Sequence, residues 1–170
     1  MSVGFEVEEL GHYVEDEALE QIVYQMWDSY FGTTEPPYPV FEPLVVEGPV
    51  QCASVSISGA RPGLVTITVP DHLAPALAAV MLQDDGELAQ DDVDDSLGEM
   101  ANIIAGNVKA LVPDAGALGL PVLARATPRP GRGASEVARL DAAWREGWLS
   151  FVVWLGDPQA AGSGDGSGRE

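Results

Sequence analysis

The chain has 170 residues and carries 8 Lys plus Arg against 27 Asp plus Glu, a formal net charge of −19 at pH 7. Nucleic-acid binding depends on Lys and Arg displacing phosphate counterions, yet eleven acids precede the first basic residue, Arg61. That balance excludes a nucleic-acid partner and makes an anionic membrane surface an unfit one, while the length and a 46% apolar share suit one domain with a real core.

A single cysteine, Cys52, rules out an internal disulfide framework. The opening MSVGFEVEEL lacks the basic and apolar regions of a signal peptide, and no apolar run approaches the ~20 residues of a membrane span. The expectation is a cytoplasmic protein that does not enter membranes.

Taken in order, Leu19, Ile22, Val23, Met26, Tyr30 and Phe31 recur at helical spacing between Val14 and Phe31, with acids in the first turns and Gly32 as a stop. TTEPPYPVFEP holds too many prolines for a helix or a central strand and reads as an extended connector. Two alternating runs, Val50 to Ser58 and Leu64 to Val69, flank the turn sequence GARPG and form a hairpin. Asp71 is placed to cap a helix from about His72 to Gln83, with Pro75 in its first turn. An acidic connector, 84–95, leads into a helix from about Asp91 to Val112. PVLARAT then reads as a strand and PRPGRGA as a loop. EVARLDAAW and WLSFVVWLG pair as a second hairpin about Arg145-Glu146-Gly147. From Asp157 the residues are Gly- and Ser-rich, so one domain over 1–156 is followed by a disordered tail, 157–170. This order predicts an α+β fold, a mostly antiparallel sheet with amphipathic helices packed on one face.

The helix around residues 94–112 carries the chemistry. On a wheel of ~100° per residue, Val93, Leu97, Met100, Ile104, Val108 and Leu111 make a narrow apolar face, with Asp95, Glu99, Asn102 and Gly106 opposite. A carboxylate and a carboxamide thus stand at i, i+3 on the solvent side. Asn is a poor helix-interior residue, and Gly106 costs roughly 1 kcal/mol relative to Ala while removing bulk from the same face. An ordinary solvated face would share this pattern. A shallow polar surface kept at the expense of helix stability instead suggests close approach by another molecule.

The string GEMANIIAGNVKAL, with Asp95 four positions before Glu99, resembles the signature of the CheC/CheX/FliY family of chemotaxis phosphatases. That signature is Asp or Ser, three residues, Glu, two residues, Asn, and a later proline, for which Pro121 is the candidate. Members remove the phosphoryl group from the aspartyl-phosphate of a response-regulator receiver domain of the CheY-like type. The resemblance implies that Glu99 pairs with the receiver's invariant lysine and that Asn102 orients a water in line with phosphorus. Asp95, Gly98 and Gly106 would meet the partner, and Pro121 and Asn107 would be structural. No cofactor of the chain's own is expected; the Mg2+ ion and the leaving aspartate belong to the receiver. Asn102 and Asn107 are the only asparagines, so a second Glu-x-x-Asn helix is impossible and the first helix, with Glu17, Glu20 and Gln21, would be its silent counterpart. This matches the single-site CheX type, from which a homodimer is expected. A non-catalytic receiver-binding adaptor with the same fold is the alternative.

Other readings are weaker. The acidic run lacks the ligand order of a calcium loop, and His12 and His72 have no partners at zinc spacing. Cys52 reads as a small core residue, and GSGDGSG as a tail rather than a nucleotide loop. Trp144, Trp148 and Trp154 read as packing residues of the last hairpin, with an edge near Trp144 open to a subunit contact.

Overall fold

The computed structural model describes residues 14–32 and 35–157. Helix α1 (Asp16–Phe31) is followed by strand β1 (Tyr38–Pro39), the hairpin β2 (Val50–Gly59) and β3 (Gly63–Pro70), and helices α2 (Ala74–Leu82) and α3 (Gln90–Lys109). Strands β4 (Ala115–Leu118), β5 (Val122–Ala124), β6 (Ala134–Trp144) and β7 (Gly147–Gly156) complete the chain. All strand pairs are antiparallel, in the order β1-β6-β7-β3-β2-β4, with β5 beside β4 on the same edge of β2. The expected α+β class and antiparallel sheet are therefore found. The tail expected beyond Asp157 lies outside the described residues.

Alternation in β2, β3 and β7 sends every second side chain toward the helices, because successive residues of a strand point to opposite faces. Ala53 and Val55 face Ile67 and Val65 across one ladder, and these face Phe151 and Val153 across the next. All six join Leu19, Val23, Leu97, Met100 and Ile104 in one buried core. Trp27 of α1 stacks on Phe31 at 4.2 Å between ring centroids and meets Trp144 of β6 edge-on at 5.4 Å. Trp144 is buried and donates its Nε1–H to Glu35 O at 3.0 Å, so it ties the connector after α1 to the sheet.

Several boundaries differ from expectation. Asp71 does not cap α2: residues 71–73 form a turn closed by Leu73 N–H to Pro70 O at 3.0 Å, and the helix begins at Ala74. The Asp71 carboxylate instead accepts a hydrogen bond from Gln51 Nε2 at 2.8 Å. Helix α3 starts at Gln90, which puts Asp91 and Asp92 in its first turn where the helix dipole favours them, and it ends at Lys109 rather than Val112. The segment PVLARAT is strand only over Val122–Ala124. Strand β4, unforeseen, is held by Ser58, whose Oγ accepts from Ala117 N–H at 2.8 Å and donates to Ala117 O at 3.1 Å. The proline-rich connector adds β1 at the sheet's far edge, where Tyr38 and Pro39 pair with Ala143 and Ala142.

Candidate functional site

Helix α3 lies over β2 and β3, buried along a face wider than the wheel implies. Val93, Leu97, Met100, Ile104 and Val108 are joined there by Ser96, Gly98, Ala101 and Ala105. The small residues explain the width, since they let the backbone sit close to the sheet and to its neighbour segment. Leu111, assigned to the apolar face from periodicity, falls beyond the helix and is 39% exposed, while Val112 is buried in its place. Ser96 satisfies its hydroxyl by donating to Asp92 O at 2.8 Å.

The opposite side carries the expected residues. Asp95 and Glu99 are exposed, and Asn102 and Gly106 are half-buried. Among the described residues neither the Glu99 carboxylate nor the Asn102 carboxamide has a hydrogen-bond or ion-pair partner. Two strong hydrogen-bonding groups three residues apart are thus free to engage something outside the chain. Asn107 differs: it is exposed, and its Nδ2 donates to Ile103 O at 2.9 Å, so its amide is spent on its own helix.

Gly98, expected on the partner-facing side, is buried. A methyl group there would stand 3.1 Å from Pro121 Cβ and 3.7 Å from Leu123 Cδ2, so its close approach is to this chain's own β5 segment. Pro121 is the other half of that contact. Gly106, two turns further on the same row, faces Leu118 Cδ1 at 4.0 Å. The strip from Leu118 to Pro121 therefore runs beside the helix between Gly106 and Gly98, and Asn102 stands midway along the same row.

The N-terminal end of α3 is tied down by a polar network that sequence reasoning did not identify. Gln90 Nε2 donates to Asp94 Oδ1 at 2.7 Å and to Gln51 Oε1 at 3.4 Å. Arg125 bridges Asp94 at 3.3 Å and Asp71 at 3.9 Å. Arg125 is the first cation after Lys109 in a chain with 8 Lys plus Arg in all, and that scarcity was the available signal. Asp91, Asp92 and Asp95 remain exposed at the same end of the helix.

Elsewhere, burial pushes the Cys52 thiol up from its ordinary pKa against a smaller opposing effect of Thr68, so the nucleophilic thiolate is disfavoured. Cys52 is buried on the sheet face away from the helices, paired with Thr68. Among the described residues, no group of three His, Cys, Asp or Glu side chains could hold a metal ion. No helix among them is long and apolar enough to cross a membrane.

Fold and site together define an antiparallel α+β protein that displays an unpaired carboxylate and carboxamide on one helix of its single helical layer. The family model for the chemotaxis phosphatase CheX matches residues 51–138, more than half of the chain, and the protein belongs to that family. No curated protein matches it. Among solved structures, the chemotaxis protein CheX from Desulfovibrio desulfuricans is similar at a TM-score of 0.62 and 19% identity, over 82% of this chain and 97% of that one. CheX from Vibrio vulnificus gives 0.64 and 16%, over 85% and 99%. The CheX–CheY–BeF3–Mg2+ complex from Borrelia burgdorferi gives 0.67 and 14%, over 86% and 100%. These likenesses establish the fold, and the family is that of the chemotaxis phosphatases.

Proposed function

We infer that this chain hydrolyses the aspartyl-phosphate of a CheY-like receiver domain, ending its signal. The observation that carries the reading is the pair Glu99 and Asn102, both without a partner among the described residues, on the side of α3 away from the core. Family membership supports it, as does the existence of a CheX–CheY complex with BeF3 and Mg2+ for the Borrelia protein.

The chemistry asks little of the catalyst. Water oxygen attacks phosphorus, the bond from phosphorus to the aspartyl oxygen breaks, and inorganic phosphate and a free carboxylate result. Positioning and electrostatics dominate such a transfer. The Asn102 amide can accept from and donate to a water without placing an anion beside the phosphoryl group, whereas a carboxylate there would repel it. Glu99, one turn earlier, is suited to a charge-assisted bond with a receiver lysine and so to anchoring the helix. The Mg2+ ion is the receiver's. We place this reaction in the cytoplasm, by a homodimer, on family likeness.

The test mixes purified protein with a phosphorylated CheY-like receiver and follows phosphate release. Asn102→Ala is expected to lower kcat at least 100-fold with binding retained. Glu99→Ala is expected to lose activity at low receiver concentration and recover it at high concentration. Wild-type protein that binds the receiver without accelerating phosphate loss would make this chain an adaptor and sink the enzyme reading.

A further inference from the structure

We propose that Leu120, carried on a bulge between β4 and β5, is the apolar contact on which the receiver domain seats beside Asn102. This rests on the function inferred above and adds a binding residue outside the Glu-x-x-Asn motif.

Strands β4 and β5 both pair with β2, but not in continuous register. Ile57 opposes Leu118 and Ser54 opposes Val122, so four steps along the β4–β5 strip answer three along β2. Gly119 N–H still bonds to Ser56 O at 2.8 Å, which confines the extra residue to Leu120 and Pro121. A Cβ at Gly119 would meet the Ser56 hydroxyl, which would have to rotate away to admit it. A bulge of this kind re-aims a side chain out of the alternating pattern. Here it leaves Leu120 87% exposed, with Val122 62% exposed two residues on.

The bulge borders the stretch of α3 that carries Asn102. Leu118 flanks Gly106 and Pro121 flanks Gly98, so the backbone joining them, with Leu120 on it, runs alongside the stretch of α3 that carries Asn102. On the helix's N-terminal approach stand Asp91, Asp92 and Asp95, all exposed. The strip 115–124, AGALGLPVLA, has no charged residue at all. An aspartyl-phosphate is an anion, so the uncharged side is the approach that like-charge repulsion leaves open. A single exposed leucine is unremarkable on most surfaces. This one sits on a bulge beside the unpaired amide, and its occupant is therefore the same receiver that Asn102 addresses.

Leu120→Asp tests this in the full chain, with Val45→Asp as the control. Val45 is equally apolar and 74% exposed, but it lies in the connector, which crosses the sheet face opposite the helices. Steady-state dephosphorylation of a phosphorylated CheY-like receiver is measured together with binding to that receiver loaded with beryllofluoride and Mg2+. Leu120→Asp is expected to raise KM and Kd about ten-fold or more with kcat unchanged, and Val45→Asp to change neither. Leu120→Met is expected to restore most of the affinity. A Leu120→Asp protein with wild-type KM, while Asn102→Ala is inactive, would overturn the inference and leave the phosphatase reading standing. A changed sedimentation coefficient with an unchanged KM would also overturn it, assigning the bulge to a contact between copies. Wild-type protein that neither binds nor dephosphorylates receivers would remove the functional reading itself.

Discussion

Gly98 and Gly106 occupy the same row of α3, yet alanine should act on them in opposite directions. In a helix interior Ala is favoured over Gly by roughly 1 kcal/mol. At Gly106 the new methyl would meet only Leu118 Cδ1 at 4.0 Å, an ordinary contact, so the full gain is available. Gly106→Ala is expected to raise Tm by about 2–4 °C. At Gly98 the methyl would press on Pro121 Cβ at 3.1 Å, and Pro121 is a rigid ring beside a strand pinned to β2. Overpacking of this kind costs about 1–3 kcal/mol and outweighs the propensity gain. Gly98→Ala should therefore lower Tm, and thermal unfolding of both variants checks the contrast. The outcome also bears on what could be read from the chain alone. The spacing of Asp95, Glu99, Asn102 and Gly106 shows a polar side to the helix. It could not show that Gly98 has turned inward, because that depends on a strand more than twenty positions away.

At the level of elements, the strongly periodic segments were legible and the weakly patterned ones were not. Helices α1 and α3 and the two long hairpins follow from alternation and helical spacing, since burial on one face imposes those periods. Strand β4, Ala-Gly-Ala-Leu, has no β-branched residue to signal it; Ser58 and the close approach allowed by Gly116 create it in context. Asp71 was a reasonable helix cap by sequence, but Gln51 and Arg125, distant in the chain, compete for its carboxylate. The exposed stretch of β6 shows another such long-range device. Its Arg139 N–H, turned away from β7, donates to the Asp16 carboxylate of α1 at 2.8 Å, which covers an edge otherwise open to pairing. On the same strand, hydrogen bonds from the Arg139 guanidinium, at 2.7 and 2.8 Å, hold the Glu136 carboxyl below its usual range despite a smaller opposing effect of burial. A depressed folded-state pKa adds stability that is fully present above the unfolded value of about 4.3 and is lost as pH falls through the lower folded value. The side chains are 41% and 40% exposed, so solvent limits the effect to less than about 1 kcal/mol. Glu136→Gln is accordingly expected to be slightly less stable than wild type at pH 7. Their denaturation midpoints should converge as pH is lowered below the carboxylate range; a gap that persists in acid would mean the loss is one of packing.

For the molecule as a whole, the net charge of −19 becomes a statement about encounter kinetics once its acids are placed. Asp91, Asp92 and Asp95 are exposed at the start of α3, and Arg125, which bridges to that end, is engaged by Asp94 and Asp71. A phosphorylated receiver brings an anionic group to Asn102, within reach of these acids, so the long-range force during approach is repulsive even though Glu99 would find a lysine at contact. Screening acts on the first of these more than the second, because the Debye length is ~10 Å at 0.1 M salt and shortens to ~3 Å at 1 M. Association should therefore accelerate with ionic strength, the reverse of the behaviour of oppositely charged, electrostatically steered pairs. Stopped-flow measurement of the association rate from about 0.05 to about 0.5 M salt, over which the Debye length falls roughly three-fold, reads this directly. The triple variant Asp91→Asn, Asp92→Asn, Asp95→Asn should associate faster at low salt and show a flatter salt dependence, with kcat unaltered if those acids act only during approach. A wild-type rate that falls with added salt would mean that the receiver carries a basic rim matched to these acids, and that the charge of this chain serves recognition rather than merely opposing it.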